Sequence, residues 1–173
     1  MRTPPAVVIA VAVLAAAQSP QADTLRATAG DIDVAPIIHA SVQLEYAGLV
    51  VHVDPWSRGD YSRMKPADLV LITDDNSHHL DVGAIQAVRK ATTVVVTPAV
   101  GAPKLPNAIV MANGDTRSFG AVTVDAVAMY DLTLGEPSHP KGRGNGYVVT
   151  LGGKRLYFAG VTECVPEIQA LKN

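Results

Sequence analysis

The stretch Leu69-Val70-Leu71-Ile72-Thr73-Asp74-Asp75-Asn76-Ser77-His78-His79-Leu80-Asp81 sets four consecutive apolar residues directly before the densest polar cluster of the chain. A short continuous apolar run bounded by turn-forming residues predicts a strand buried on both faces. Val82 to Lys90 follows with Ile85 and Val88 on one side, the pattern of a short helix. Asp81 stands at its N-cap, where a carboxylate accepts from the first free N–H groups. Thr92 to Thr97 is the next buried strand. Strand, loop, helix and strand make a βαβ unit. Its right-handed crossover lays the helix on one sheet face and brings the loop after Thr73 to the carboxyl end of the sheet, where ligands bind in α/β proteins.

Working outward, Val34 to His39 reads as a strand, and Ser41 to Tyr46 with Leu49 to Asp54 as a hairpin turning at Ala47-Gly48 and ended by Asp54-Pro55. Downstream, Ala108 to Met111, Val122 to Met129, Tyr147 to Leu151 and Leu156 to Ala159 supply strands, the last two joined through Gly152-Gly153. Pro166 to Leu171 begins a helix. Between Asp131 and Gly146, Pro137, Pro140 and four glycines predict a long irregular loop with room for a functional role. No repeat or linker divides residues 23–173, so one domain is expected.

The 173 residues are 48% apolar and 17% charged with a formal charge of -2, which describes a folded globular chain. No clustered Lys and Arg are present to neutralise a phosphate backbone, so no nucleic-acid partner is expected. A domain of about 150 residues buries roughly 70% of its unfolded surface, enough for a core without disulfides. The lone Cys164 agrees and reads as a packing residue with no activating partner. Met1 to Ala22 reads as a secretory signal, with Arg2, the apolar Ala6 to Ala17 and the small-residue site Ala15-Ala16-Ala17. That apolar run is short of the ~20 residues that span a bilayer, so a secreted or periplasmic protein without a membrane span is expected.

The polar cluster resembles the THxHxDHLD signature of the metallo-β-lactamase-fold hydrolases, in their lactonase-like branch. The likeness extends to His39-Ala40-Ser41-Val42, Val53-Asp54-Pro55-Trp56, His139 to Tyr147 and Tyr157 to Glu163, in the family's order over nearly all of the mature chain. It implies an α/β fold of layered αββα type, a sandwich of two sheets between helices. The chain stops at Asn173, where the family's next buried strand would start, so a partial sandwich with its C-terminal part missing is expected. Uncovered apolar sheet surface and self-association through it follow from that expectation.

In the family the signature loop holds one or two zinc ions, which lower the pKa of bound water from about 15.7 to about 7. Here Asp74 stands at the first His, Asn76 at the second and His78 at the Asp, while His79 matches; Val161 replaces the later bridging carboxylate. The resemblance therefore implies a rearranged one-metal set of Asp74, His78, His79 and His139, with Asp75 and His79 as catalytic groups and His39 and Asp54 orienting the ligands. Zinc held weakly or not at all is expected. Adjacent His78 and His79 do not easily aim at one ion.

Each of these residues also has a structural reading. The loop's His and Asp side chains can be solvated or cap the following helix, and His39 can be a hydrogen-bonded strand-end residue. Asp54 can simply end its strand, and His52, among apolar neighbours, reads as a strand residue. The glycines of 142–146 suggest a backbone anion nest, with Lys141 and Arg143 beside it to favour a small anionic substrate. The expected function is metal-dependent hydrolysis of an ester, lactone or related bond in a small molecule, with catalysis impaired. The alternatives are a non-catalytic binding module and a nonfunctional remnant on the same fold.

Overall fold

The computed structural model describes residues 22–171. Its β-branched runs form two sheets. Seven strands lie side by side in chain order: β1 (Asp23–Leu25), β2 (Ile32–Ile38), β3 (Ser41–Tyr46), β4 (Leu49–Val53), β5 (Ala67–Leu71), β6 (Arg89–Thr97) and β7 (Ile109–Val110). The first four pair antiparallel, and β4 to β7 run parallel. β8 (Thr116–Phe119), β9 (Val122–Met129), β10 (Gly144–Leu151) and β11 (Lys154–Phe158) form an antiparallel sheet in the order β11-β10-β9-β8. Helix α1 (Val82–Val88) is the crossover between β5 and β6, and the short α2 (Pro166–Gln169) lies against β9.

The continuous apolar run of β5 is explained by what covers it. Leu69 and Leu71 face the second sheet and pack with Val124, Tyr147 and Val149, while Val70 and Ile72 face α1 and pack with Ile85 and Val88. All four residues of the run are at most 2% exposed, and each such side chain contributes about 1.5–3 kcal/mol of burial. The two hairpins turn where positive φ is needed: Ala47 and Gly48 have φ of 50 and 81°, Gly152 and Gly153 of 54 and 74°. Two consecutive positive φ values match the right-handed twist of the flanking strands.

The structure departs from the sequence reading at several points. Helix α1 stops at Val88 because Arg89 is already extended (ψ 152°), so β6 starts there with no intervening loop. Residues 144–146, expected in an irregular loop, open β10 and pair with Met129, Ala128 and Val127. Their backbone is in the ladder, so they make no anion nest. Gly144 is there for close approach, since a Cβ would lie 2.2 Å from Met129 Cε and 2.8 Å from the Thr73 carbonyl. Strands β1 and β8 were not expected; both are exposed edge strands without an apolar face.

No large apolar side chain of the second sheet is fully exposed among the described residues. The exposed large apolar side chains are Leu25, Val82, Val110, Leu132 and Leu134, none of them on β8 to β11. The sheet's outward positions carry Thr123, Asp125 and Thr150 together with Val127, Val148 and Tyr157, alternating with the core-facing Val122, Val124 and Val149. The leader reading lies, but for Ala22, outside the described residues. No helix among them is long and apolar enough to cross a membrane.

Candidate metal centre

Strand register brings the site together. Val42 pairs with Val53 and Val53 with Leu71, so the start of β3 and the ends of β4 and β5 share one sheet edge. His39 sits in the two-residue turn before β3, Asp54 one residue past β4, and the polar loop just past β5. His39 and Asp54 are left-handed (φ 51 and 42°), a strain on the order of 1 kcal/mol each that the surroundings must hold. Asp54 is held by its N–H donating to the Leu71 carbonyl at 2.9 Å and its carbonyl accepting from Ser41 Oγ at 2.6 Å.

The fully buried Asp54 carboxylate is the organiser. Oδ1 accepts from the Thr73 N–H at 2.8 Å; Oδ2 accepts from Thr73 Oγ1 at 2.5 Å and from His79 Nδ1 at 2.8 Å. Burial pushes the Asp54 carboxyl up, against the opposing His79 and Thr73 contacts. Burial also lowers the His79 imidazole, but the Asp54 bond and charge, with Asp74 behind them, outweigh it and the net shift is upward. Nδ1 is thus the His79 nitrogen that faces Asp54, and His79 Nε2 is buried with no hydrogen-bond partner.

That orphaned nitrogen belongs to a group of three imidazoles. His39, His78 and His79 each offer a nitrogen, and these lie within 4.8 Å of one another. His39 is exposed, His78 half-buried and His79 buried, which grades the group from solvent to core. The adjacent His78 and His79 do converge, contrary to expectation. The tight turn in which the His79 and Leu80 N–H groups both donate to the Asn76 carbonyl swings their rings to centroids 4.6 Å apart. Burial, then the neighbouring His79 and His39, lower the His78 pKa, which favours the neutral imidazole that a metal needs.

The other sequence-predicted residues lie beside this group, not in it. Asp74 is fully buried, with Oδ1 accepting from the Asn76 N–H and Oδ2 3.7 Å from Arg143 Nε. Asp75 is engaged by Arg143 Nη2 and by Lys104, whose Nζ also donates to the Asp75 carbonyl at 2.7 Å. His139 Nε2 meets Asn76 Nδ2 at 3.2 Å. The predicted ligand set therefore divides. His78 and His79 converge with His39, which sequence reasoning had placed behind the ligands, while Asp74 and Asp75 face cations and His139 faces an amide. Arg143, read beside a glycine loop as a cation for a small anionic substrate, is instead the partner of Asp75, a pairing that sequence reasoning missed; no local pattern links it to residues nearly seventy positions earlier. Among the described residues the three imidazoles form the one group of three or more His, Cys, Asp or Glu side chains close enough to hold an ion. They fit a divalent metal: three imidazole nitrogens, one of them oriented from behind by a carboxylate, make a donor set that catalytic zinc accepts.

Comparison with known proteins places this geometry. A model of the β-lactamase superfamily domain matches residues 34–173. A crystal structure from Parabacteroides distasonis, of a protein named for an inferred metal-dependent hydrolase activity, superposes with a TM-score of 0.84 at 38% identity, covering 88% of this chain and 71% of that one. Igni18, a metallo hydrolase from the archaeon Ignicoccus hospitalis, gives 0.64 at 20% identity over 80% of this chain and 64% of its own. CmlA, a diiron β-hydroxylase from Streptomyces venezuelae, gives 0.61 at 19% identity over 78% and 30%. The last two show the fold alone. No curated protein matches the chain. The family match over most of the sequence and the two-sheet architecture around the His-bearing loop agree: the chain belongs to the β-lactamase superfamily domain family and has the metallo-β-lactamase fold in the form of a partial sandwich.

Proposed function

We propose that this protein is a metal-dependent hydrolase built around one zinc ion held by His39, His78 and His79, acting on an ester, lactone or related bond of a small molecule. The observation that carries the reading is the buried, unpartnered Nε2 of His79, whose other nitrogen is fixed by Asp54. A buried polar nitrogen without a partner is costly, on the order of 1–3 kcal/mol, and a metal relieves it. When bound, the ion supplies Lewis acidity that makes water nucleophilic near neutral pH.

The chain's own residues do the rest. Asp54 holds the Nδ1 proton of His79 and so presents the Nε2 lone pair to the site; Thr73 fixes Asp54 in turn. Donors 2.0–2.1 Å from one tetrahedral ion stand about 3.4 Å apart. The exposed His39 ring is the one free to close on the fixed His79. Asp75, paired with Arg143 and Lys104, serves as an anchor of the loop and not as a free base. Export from the cytoplasm, read from residues 1–22, belongs to the same proposal.

Metal analysis of the purified protein after zinc loading tests it, together with hydrolysis assays on lactone and phosphodiester panels. One zinc per chain is expected, with Asp54→Asn lowering the affinity about 10- to 100-fold in chelator competition, the typical cost of losing a ligand's orienting partner. Absence of stoichiometric zinc would end the hydrolase reading. A second reading, a non-catalytic binding module, is favoured by the carboxylate of Asp75, held by Arg143 and Lys104, and it predicts zinc without turnover or no zinc at all.

A further inference from the structure

We propose that Arg58 is the specificity-determining cation of this site, taking a carboxylate carried by the substrate; its substrate role rests on the hydrolase reading above, its geometry does not. The Trp56 ring stands edge-on to two of the three imidazoles, with centroids 5.9 Å from His39 and 6.1 Å from His78, so the indole forms a wall of the centre. The Arg58 guanidinium lies over that indole, 5.3 Å from its centroid. An exposed cation–π pair contributes only about 0.5–1 kcal/mol, so it alone would not justify a fixed arginine here.

The turn that carries the pair is, however, held from four sides. The Gly59 N–H donates to the Trp56 carbonyl at 2.9 Å, closing the turn. The Trp56 N–H donates to Tyr61 Oη at 2.7 Å, and the Ser57 N–H to Asp81 Oδ2 at 3.0 Å. Gly59 packs so closely on β2 that a Cβ would sit 2.7 Å from Ile37 Cγ2. Arg58 is therefore presented by a preorganised backbone, which lowers the ordering cost of binding.

Charge decides what it would bind. The other cations around the centre are occupied: Arg143 and Lys104 by Asp75, Lys141 by Glu167. Among the described residues Arg58 makes no ion pair, and its guanidinium rests on the indole. The imidazoles bring no negative charge of their own, and the carboxylate directly behind them, Asp54, is turned inward to His79 and Thr73. A planar guanidinium backed by an aromatic face suits a carboxylate, with the substrate's apolar part against Trp56.

Trp56 is the sole tryptophan of the chain, so its fluorescence reports the wall directly. The full chain, with and without one equivalent of zinc, is titrated with benzoate and with its uncharged isostere benzamide. The parent should bind benzoate at least about five-fold more tightly than benzamide, and Arg58→Gln should lose that preference while Arg58→Lys keeps part of it. Zinc stoichiometry and far-UV circular dichroism should not change in either variant, since the side chain is exposed. A parent without preference, or one unchanged in Arg58→Gln, overturns the proposal. An Arg58-dependent preference in protein that takes up no zinc sinks the metal reading and leaves Arg58 standing; zinc uptake with a preference blind to Arg58 does the reverse.

Discussion

His79 and His52 are both buried histidines with one nitrogen unpartnered, and only their surroundings separate a ligand from a core residue. The free nitrogen of His79 has two imidazoles beside it. His52, in the middle of β4, donates from Nε2 to the Lys65 carbonyl at 2.9 Å and lies 6.1 Å from the Tyr61 ring, with Nδ1 buried and unmatched. Protonating that nitrogen places a charged N–H in the core. Burial accordingly lowers the His52 pKa, against the smaller opposing effect of the Lys65 carbonyl. A folded-state value below the unfolded 6.5 means that the unfolded chain takes up the proton first, so stability falls as pH drops below about 6.5. His52→Leu should therefore show a smaller loss of urea stability between pH 7 and pH 5 than the parent. An equal loss would assign the acid sensitivity to other groups. Sequence gave the same residue type at both positions; it could read His52 from its apolar neighbours, but the convergence at His79 depends on strand register.

Elements were most legible where burial is two-sided. The hairpin at Ala47-Gly48 and the strand Val122–Met129 stand as read, and the run Leu69 to Ile72 is a buried strand that begins two residues earlier and ends at Leu71, because apolar period and turn chemistry specify them. β8 was invisible, since Thr116–Phe119 is a polar edge strand paired on one side only, and the start of β10 was hidden by glycines that serve packing. Helix α1 shows how one residue can tie an element to the site. Asp81 Oδ1 accepts from the Ala84 N–H at 3.0 Å as the N-cap, and Oδ2 accepts from the Ser57 N–H in the turn bearing Trp56 and Arg58. Burial pushes the Asp81 carboxyl up, yet the Ser57, Ala84 and Gly83 contacts outweigh it and hold it low, so this support is present near neutral pH and lost in acid. Asp81→Ala should cost about 1 kcal/mol in chemical denaturation and also increase the rotational freedom of Trp56 in fluorescence anisotropy. Loss of stability with an unmoved anisotropy would show that the turn stands without the helix.

At the scale of the whole molecule, the two sheets meet through apolar packing that carries almost no direction, so something must fix where the second sheet sits relative to the imidazole-bearing edge of the first. Three polar contacts do this, two just past β5 and one just past β7. The Asn145 N–H donates to the Thr73 carbonyl at 2.9 Å, Asn145 Nδ2 donates to the Met111 carbonyl at 2.8 Å, and Tyr147 Oη donates to the Ile72 carbonyl at 2.9 Å. Each is buried, and Ile72 and Thr73 lead directly into the polar loop. Burial pushes the Tyr147 hydroxyl far above its ordinary range, so it stays a donor at any working pH. Tyr147→Phe keeps the ring in the core and removes only the hydroxyl, leaving the Ile72 carbonyl without this donor and depriving Asn145 Nδ2 of its 3.3 Å contact. The expected cost is about 1–3 kcal/mol of stability in urea unfolding. Zinc affinity should fall much less than in Asp54→Asn, because no hydrogen bond to His79 or Asp54 is touched. If Tyr147→Phe instead weakens zinc as strongly as Asp54→Asn, the second sheet positions the imidazoles directly, and the separation drawn between the inter-sheet anchor and the metal edge is wrong.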